Sequence, residues 1–166
     1  MKKFIFFAIA AILSVALISC SNDDDTKYTE GENTVTLEGT WKGKTIITHE
    51  IEDDQGEISY KEEEVNTTIQ FVGNPDKARY GTKGTGRWLD QYDDGTYSYN
   101  RTEWEVDYEK IIIKFLDDEG KPNGTVLYIK NDGYSLSNNL FSGKVDYNDD
   151  IRGFVFKKDN SYNWGN

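Results

Sequence analysis

Few residues in this 166-residue chain could do acid–base or nucleophilic chemistry. His49 is the only histidine and Cys20 is the only cysteine. A histidine acts as a general base when the fold places a nucleophile or a carboxylate beside it, and no motif around His49 supplies either. A lone cysteine can form neither an intrachain disulfide nor a cysteine metal cluster. The sequence therefore predicts no catalytic residue, no metal site and no cofactor, and a protein that is not an enzyme.

Pairs of adjacent aspartates are the other chemically suggestive feature. Two carboxylates can cleave a glycoside held between them, and suitably spaced aspartates can bind calcium. These pairs fall in predicted turns, where Asp is favoured because its side chain bonds the local backbone. None has the spacing of an EF-hand loop. We therefore interpret as solvated turns the pairs Asp53-Asp54, Asp93-Asp94, Asp117-Asp118 and Asp149-Asp150.

The elements that would position such groups are β-strands, because apolar and polar residues alternate with period two through most of the chain. No segment longer than a turn has helical spacing. Short turns join about eight strands, so neighbouring strands should be antiparallel. An antiparallel up-and-down meander that closes into a barrel leaves no exposed edge, and we predict this all-β fold. A two-sheet β-sandwich is the alternative, and residues 117–124 form the one predicted connection long enough to suggest it.

The aromatic residues divide between the two faces of these strands. Tyr97 and Tyr99 have the parity opposite to Trp104 and should face outward, with Tyr92 near them across the hairpin. Such an exterior patch could stack on sugar rings or on a protein. An eight-stranded barrel is wide enough either to be filled by its own side chains or to hold one ligand. The candidates for lining a cavity are Trp41, Ile47, His49, Phe71, Tyr80, Trp88, Trp104, Val106 and Tyr108.

The N-terminus has the pattern of a secretion signal. Met1-Lys2-Lys3 is followed by an apolar stretch over residues 4–18, which is short for a bilayer core of ~30 Å. The stretch ends in Leu17-Ile18-Ser19-Cys20, which resembles the lipobox of bacterial lipoproteins. That resemblance implies a signal peptide over residues 1–19 and a lipid anchor on Cys20. Residues 20–34 then form an acidic flexible tether, and the anchor implies a location at the outer membrane.

Two segments resemble a known family. Leu37-Glu38-Gly39-Thr40-Trp41 looks like the start of lipocalin-like domains, and residues 104–113 are similar to the middle hairpin of the lipocalin-like lipoproteins of Gram-negative bacteria. The resemblance implies an eight-stranded barrel with one open mouth, which in some members holds a small apolar ligand. We place this domain at residues 35–160. The chain departs from typical lipocalins in lacking a C-terminal helix and a disulfide, and residues 161–166 form a tail in which Trp164 should be exposed.

Charge restricts the partners. The chain carries 19 basic and 30 acidic residues, a net charge of −11. Nucleic acid is excluded because its phosphates are bound by clustered Lys and Arg. The acidic run at residues 21–25 resembles an export signal of surface lipoproteins, so the anchored protein should face either the cell surface or the periplasm. We expect a monomer that binds a small hydrophobic or amphipathic ligand in its barrel. The alternative is a filled barrel that contacts a glycan or a protein through its exterior aromatic face.

Overall fold

The computed structural model describes residues 30–74, 82–107, 109–148 and 150–165. Cys20, Tyr80 and Tyr108 lie outside these ranges. A short 3-10 turn at Asn131–Gly133 interrupts the second half of the chain. The described elements are α1 (Glu30–Leu37), β1 (Gly39–Glu52), β2 (Ile58–Gly73), β3 (Lys83–Gln91), β4 (Tyr97–Val106), β5 (Lys110–Leu116), β6 (Pro122–Lys130), β7 (Tyr134–Leu136), β8 (Leu140–Tyr147) and β9 (Asp150–Lys158).

Eight of the described strands form a closed antiparallel ring. The strands are hydrogen-bonded in the order β6-β5-β4-β3-β2-β1-β9-β8, and β6 meets β8 where Tyr128 faces Asp146. Strand β7 pairs with β8 and stands beside the ring as a ninth, short strand. The predicted all-β barrel is therefore confirmed, and the sandwich is not observed. The strands of the ring follow the predicted meander except at β7. This strand comes between β6 and β8 in the sequence but lies outside the ring.

Three predictions about local structure are wrong. Residues 117–124 are not a long loop, because β5 ends at Leu116 and β6 begins at Pro122. A tight turn joins them, with the Gly120 N–H donating to the Asp117 carbonyl at 3.0 Å. Proline is tolerated there because it is the first residue of its strand. Alternation predicts one strand from Tyr134 to Phe141, which the structure splits between β7 and β8. The segment before Gly39, where the sequence predicts no helix, contains α1.

Helix α1 forms because the barrel end buries it. Asn33, Thr34 and Leu37 are buried, although the helix has only eight residues and weak helical propensity. A helix this short is marginal alone, so packing must hold it. It contacts β2, β4 and β7, which lie around the opening, and the Trp41 indole N–H donates to the Leu37 carbonyl at 2.7 Å. The helix therefore closes one end of the barrel. Among the described residues, no helix is long and apolar enough to span a membrane.

Aromatic side chains fill the half of the barrel next to α1. Phe71 and Trp104 meet edge to face with ring centroids 5.7 Å apart, and Trp41 meets Phe141 in the same way at 5.8 Å. Phe141 also packs on Phe154 at 4.8 Å. Edge-to-face aromatic pairs add to the stabilisation from burial alone. We call the five residues Leu37, Trp41, Phe71, Trp104 and Phe141, all of them fully buried, the aromatic plug.

Glycine in the wall makes room for the plug. A Cβ atom on Gly84 would lie 2.5 Å from Cζ2 of Trp104 and would collide with the carbonyl oxygen of Val72. The indole of Trp104 therefore lies against the backbone of β3, where its N–H donates to the Thr85 carbonyl at 2.8 Å. Sequence alternation placed Gly84 and Trp104 on inward parities, and the structure gives the reason why a glycine is needed opposite a large ring.

The hairpin of β1 and β2 extends past the opposite end of the barrel. β1 pairs with β9 over Trp41–Lys44, and β2 pairs with β3 over Asn66–Gly73, whereas β1 and β2 pair with each other over their whole length. Arg152 braces this extension from β9, donating to Thr48 Oγ1 at 2.5 Å and to Glu62 Oε1 at 2.8 Å. We call residues 46–64 the arm.

The C-terminal tail folds back on the outer wall. Trp164 is half-buried, and its indole N–H donates to Thr40 Oγ1 at 3.0 Å. The Lys42 ammonium lies 4.4 Å from the centroid of the Tyr162 ring. The expectation that Trp164 would be exposed is therefore wrong. Its apolar ring covers the outer face of β1 close to the end that α1 closes.

We predict that Trp104→Ala lowers the free energy of unfolding by about 3–5 kcal/mol, because it leaves a cavity in the aromatic plug. Tyr97→Ala is the matched control: Tyr97 lies on the same strand but is 70% exposed, so its loss should change the free energy by less than about 0.5 kcal/mol. Urea denaturation followed by far-ultraviolet circular dichroism measures both. Equal effects of the two substitutions would contradict the plug.

Candidate functional site

The barrel interior changes character at the end away from α1. Here many of the inward-facing side chains on β1–β4 are small or polar, and those nearest the end are only half-buried, so part of their surface is in contact with solvent. The strand registers place them on one surface, with Thr67 opposite Asp90 and Asp90 opposite Ser98. We call this end the mouth; the residues that line it are Thr45, Ile47, His49, Glu63, Thr67, Asp90, Tyr92, Ser98 and Asn100.

A buried carboxylate forms the floor of the mouth. Asp90 is 7% exposed, and its Oδ1 accepts a hydrogen bond from the Thr67 hydroxyl at 2.5 Å. Its Oδ2 accepts from the Trp88 indole N–H at 2.8 Å. The Thr45 and Thr67 hydroxyl oxygens are 2.5 Å apart, and since Thr67 gives its one hydrogen to Asp90, Thr45 must be the donor of that bond. Three strands thus converge on one carboxylate.

Strand geometry explains why these groups meet. Trp88 and Asp90 are two residues apart on β3, so both side chains point to the same face. Thr67 lies directly across from Asp90 on β2, and Thr45 lies diagonally from Thr67 on β1. Side chains directly opposite or diagonal on neighbouring strands are within reach of one another. The network therefore needs no loop, and the rigid barrel wall positions it.

Asp90 bears a charge in an unfavourable place. Burial raises the pKa of the Asp90 carboxyl, and the hydrogen bonds from Thr67 and Trp88 oppose that shift without cancelling it. Among the described residues, no Lys, Arg or His contributes to the balance. A buried carboxylate without a cationic partner destabilises a fold, so such groups concentrate at functional sites.

Further acidic and aromatic groups surround the rim. His49 Nε2 lies 3.1 Å from Glu63 Oε2, and the His49 ring is 6.2 Å from the Tyr92 ring. Burial raises the pKa of the Tyr92 hydroxyl, and the negative charges of Asp90, Glu63 and Asp94 raise it further. The mouth therefore has a negative electrostatic potential as well as hydrogen-bonding groups.

The predicted cavity residues are divided between the two halves of the barrel. Trp41, Phe71, Trp104 and Val106 belong to the buried core of the closed half. Ile47 and His49 lie at the mouth, and Trp88 lies at its floor with its ring 5.3 Å from that of Phe115. The structure thus brings together three of the seven described candidates. Tyr80 and Tyr108 lie outside the described residues.

Sequence reasoning missed the most informative groups of the mouth, Asp90 and Glu63. A signal for both was present, because Asp90 continues the inward parity of Gly84, Gly86 and Trp88. Glu63 likewise continues the parity of Val65 and Thr67. A carboxylate on the apolar parity of a strand is an unusual placement, since charged residues are rarely buried.

The three tyrosines of the predicted exterior patch do not lie together. Tyr97 is 70% and Tyr99 is 48% exposed, and both face outward on β4. Tyr92 instead follows the inward parity of β3 and packs against His49. Of the three predicted tyrosines, Tyr97 and Tyr99 therefore lie on the exterior, and Tyr92 belongs to the mouth.

Two pockets on the outer wall are separate from the mouth. The larger, about 450 Å³, lies beside Gly73 and Gly84, and the Lys83–Glu105 ion pair at 2.7 Å forms part of its lining. The smaller, about 200 Å³, lies where β6 meets β8, beside Tyr128 and Asp146. Among the described residues, no group of three His, Cys, Asp or Glu side chains is arranged to hold a metal ion.

Comparison with known proteins gives remote structural likenesses. No protein-family model and no curated protein matches the sequence. A de novo designed fluorescence-activating β-barrel is similar over 76% of this chain and 96% of its own, with 16% identity and a TM-score of 0.45. A lipocalin-like protein from Bacteroides uniformis is similar over 75% of this chain and 99% of its own, with 15% identity and a TM-score of 0.41. A redesigned β-barrel is 11% identical over 76% of this chain and 94% of its own, with a TM-score of 0.45.

The raised pKa of Asp90 predicts a pH-dependent stability. A raised pKa in the folded state contributes stability that is fully present below the ordinary carboxyl pKa and is lost as the pH rises through the raised value. Asp90→Asn removes this titration and keeps the shape. The free energy of unfolding of the wild type minus that of the variant should therefore fall as the pH rises.

Urea denaturation from about pH 3 to about pH 8 measures this difference. Glu63, His49 and Tyr92 are the other ionisable groups of the mouth, and they are present in both proteins, so the subtraction removes their common contribution. A difference that stays constant or grows with pH would show that Asp90 does not have a raised pKa.

Proposed function

We propose that this chain is a lipid-anchored envelope protein without catalytic activity, whose barrel binds a small amphipathic ligand at the mouth. The observation that carries the proposal is the division of the barrel into a half sealed by the aromatic plug and a half that is open to solvent over a buried polar network. A barrel whose only task was to be a stable scaffold would gain more from filling both halves.

The chemistry of the mouth suits an amphipathic molecule. Small-molecule sites are usually concave and largely apolar, with a few polar groups that fix the orientation of the ligand. The Trp88 and Phe115 rings supply apolar area at the floor, and Asp90 and Thr67 supply the polar groups. Ser98 and Asn100, which lie opposite Asp90 and Trp88 on the neighbouring strand β4, are short polar side chains.

The same hydrogen bonds support a binding role over a catalytic one. Nucleophilic catalysis needs a base in contact with a hydroxyl or thiol. Within the described ranges, the hydrogen bond of His49 leads to Glu63, and those of Asp90 lead to Thr67 and Trp88. Thr67 sits between two oxygens in a buried chain of bonds, which fixes it rather than activating it.

The proposed anchor suits the direction of the barrel. Helix α1 begins at Glu30, ten positions after Cys20, and it lies at the closed end. From there β1 runs for 14 residues past the mouth and into the arm, about 45 Å at ~3.3 Å per residue. A lipid on Cys20 would hold the closed end near the membrane, and the mouth would then face away from it.

To test ligand binding we would fill the mouth with a side chain. Ser98→Phe adds a ring directly opposite Asp90, so it should abolish the fluorescence increase of N-phenyl-1-naphthylamine, a neutral apolar probe, on binding to the wild type. Leu89→Phe is the matched control, because it adds a ring to the outer face of the neighbouring strand. It should leave probe binding unchanged.

Probe binding that survives Ser98→Phe would contradict a site in the mouth, as would a wild type that does not bind the probe. Circular dichroism of the three proteins verifies that each is folded. Either contradictory result would favour the alternative function, contact with a glycan or protein through Tyr97 and Tyr99, whose exposure of 70% and 48% is the observation in its favour.

A separate prediction concerns the anchor. Expressed in a Gram-negative host fed with labelled palmitate, the chain should acquire the label and sediment with membranes. Cys20→Ala should abolish both, because the lipidated residue is then absent, whereas Ser21→Ala should change neither. Labelling of the Cys20→Ala variant, or an unlabelled wild type, would show that Cys20 is not the lipidated residue.

A further inference from the structure

The mouth contains negative charges that the protein itself does not balance. Asp90 and Glu63 both face inward. Both lie close enough to Tyr92 for their negative charges to raise the pKa of its hydroxyl. Two of the nearby cations are paired elsewhere, Lys44 with Glu64 and Arg152 with Glu62 and Asp150. Lys61 lies farther out on the arm, where it is exposed and across from His49, and it does not contribute to the pKa of Asp90. His49 contacts Glu63 and does not reach Asp90. The charge missing from the mouth is therefore positive.

Building on the proposed function, we propose that the ligand of the mouth is a cationic amphiphile of the alkylammonium class, whose ammonium group pairs with the Asp90 carboxylate. The proposal rests on three features of the structure: a buried carboxylate, the two neutral donors that hold it, and aromatic rings beside it.

The hydrogen-bonding capacity of Asp90 allows such a partner. An ionised carboxylate offers about four acceptor positions on its two oxygens. Thr67 takes one position on Oδ1 and Trp88 takes one on Oδ2, which orients the group and leaves acceptor capacity on each oxygen. An ammonium group brings three donors and the missing charge, and a charge-assisted bond of this kind is about twice as strong as a neutral one.

The side chains around Asp90 suit the alkyl chain of the proposed ligand. The Trp88 indole, which bonds Asp90, packs against the Phe115 ring at 5.3 Å, so apolar side chains lie close to the carboxylate. A cation near an aromatic ring is attracted to its face, and an alkyl chain gains from leaving water. An anionic amphiphile with the same chain would instead meet Asp90 and Glu63 as like charges. The mouth should therefore rank ligands by the charge of the head group.

The test compares three molecules with one alkyl chain: octylammonium, octanol and octanoate. Isothermal titration calorimetry with the purified protein at neutral pH should show octylammonium binding about tenfold more tightly than octanol, with octanoate weakest. Asp90→Asn should remove the preference for octylammonium and retain octanol. Asp118→Asn, the same change of charge at an exposed turn, should retain the preference.

A second measurement uses the wild type alone. Carbon-13 NMR titration of the Asp90 carboxyl should show its pKa falling when octylammonium is present, since a bound cation favours the ionised form. Octanol should not lower it in this way. The Glu63 carboxyl lies close to Asp90 at the mouth, so the Asp90 resonance is assigned by its absence from the Asp90→Asn spectrum.

The outcomes separate this inference from the proposed function. Equal binding of octylammonium and octanol, or a preference that persists in Asp90→Asn, would overturn the cationic ligand while leaving a ligand site in the mouth. A preference lost equally in Asp118→Asn would also overturn it, because the effect would then come from net charge. Binding of none of the three molecules would overturn both proposals.

Discussion

The narrow interior of an eight-stranded barrel is the constraint on which the rest of this structure depends. Such an interior is just wide enough for large side chains to fill. Here the aromatic plug occupies the half next to α1, and the Trp41 indole is tied to the Leu37 carbonyl, so the helix and the plug are one unit. Because Gly84 lets the Trp104 ring lie against the wall, the plug ends at a defined depth. Beyond the plug, polar groups such as Asp90 and Thr67 lie beside the buried apolar side chains Val65, Trp88 and Phe115.

In the open half, the fold buries a carboxylate at a cost in stability, whereas the closed half gains stability from apolar packing. Asp90 is buried among neutral partners, which raises its pKa and disfavours its ionised form. The fold tolerates this because three strands hold the carboxylate through Thr45, Thr67 and Trp88, on a wall whose other half is fully packed. The proposed ligand site would use both halves: the packed closed half supplies rigidity, and Asp90 supplies an interaction that the proposed ligand would complete.

Strand alternation predicted the barrel because period two is a local property that neighbouring residues reveal. The parity of Trp41, Trp88 and Trp104 was correctly read as inward for the same reason. Features that depend on distant residues could not be predicted: α1 forms because the barrel end buries Leu37, and Trp164 is covered because the tail returns to Thr40. Asp90 was missed although its parity follows from Trp88, because a carboxylate beside aspartate-rich turns looks like part of a solvated surface.

The most direct test of a barrel sealed at one end and open at the other is the NMR spectrum of the four tryptophan indole N–H groups as octanol is added. Trp88 lies at the floor of the mouth and bonds Asp90, so its resonance should shift with saturating behaviour. Trp41 and Trp104 belong to the plug, and Trp164 lies on the outer wall, so these three should stay in place. Shifts of Trp41 or Trp104 would show that the ligand enters the sealed half, and a shift of Trp164 alone would place binding outside the barrel.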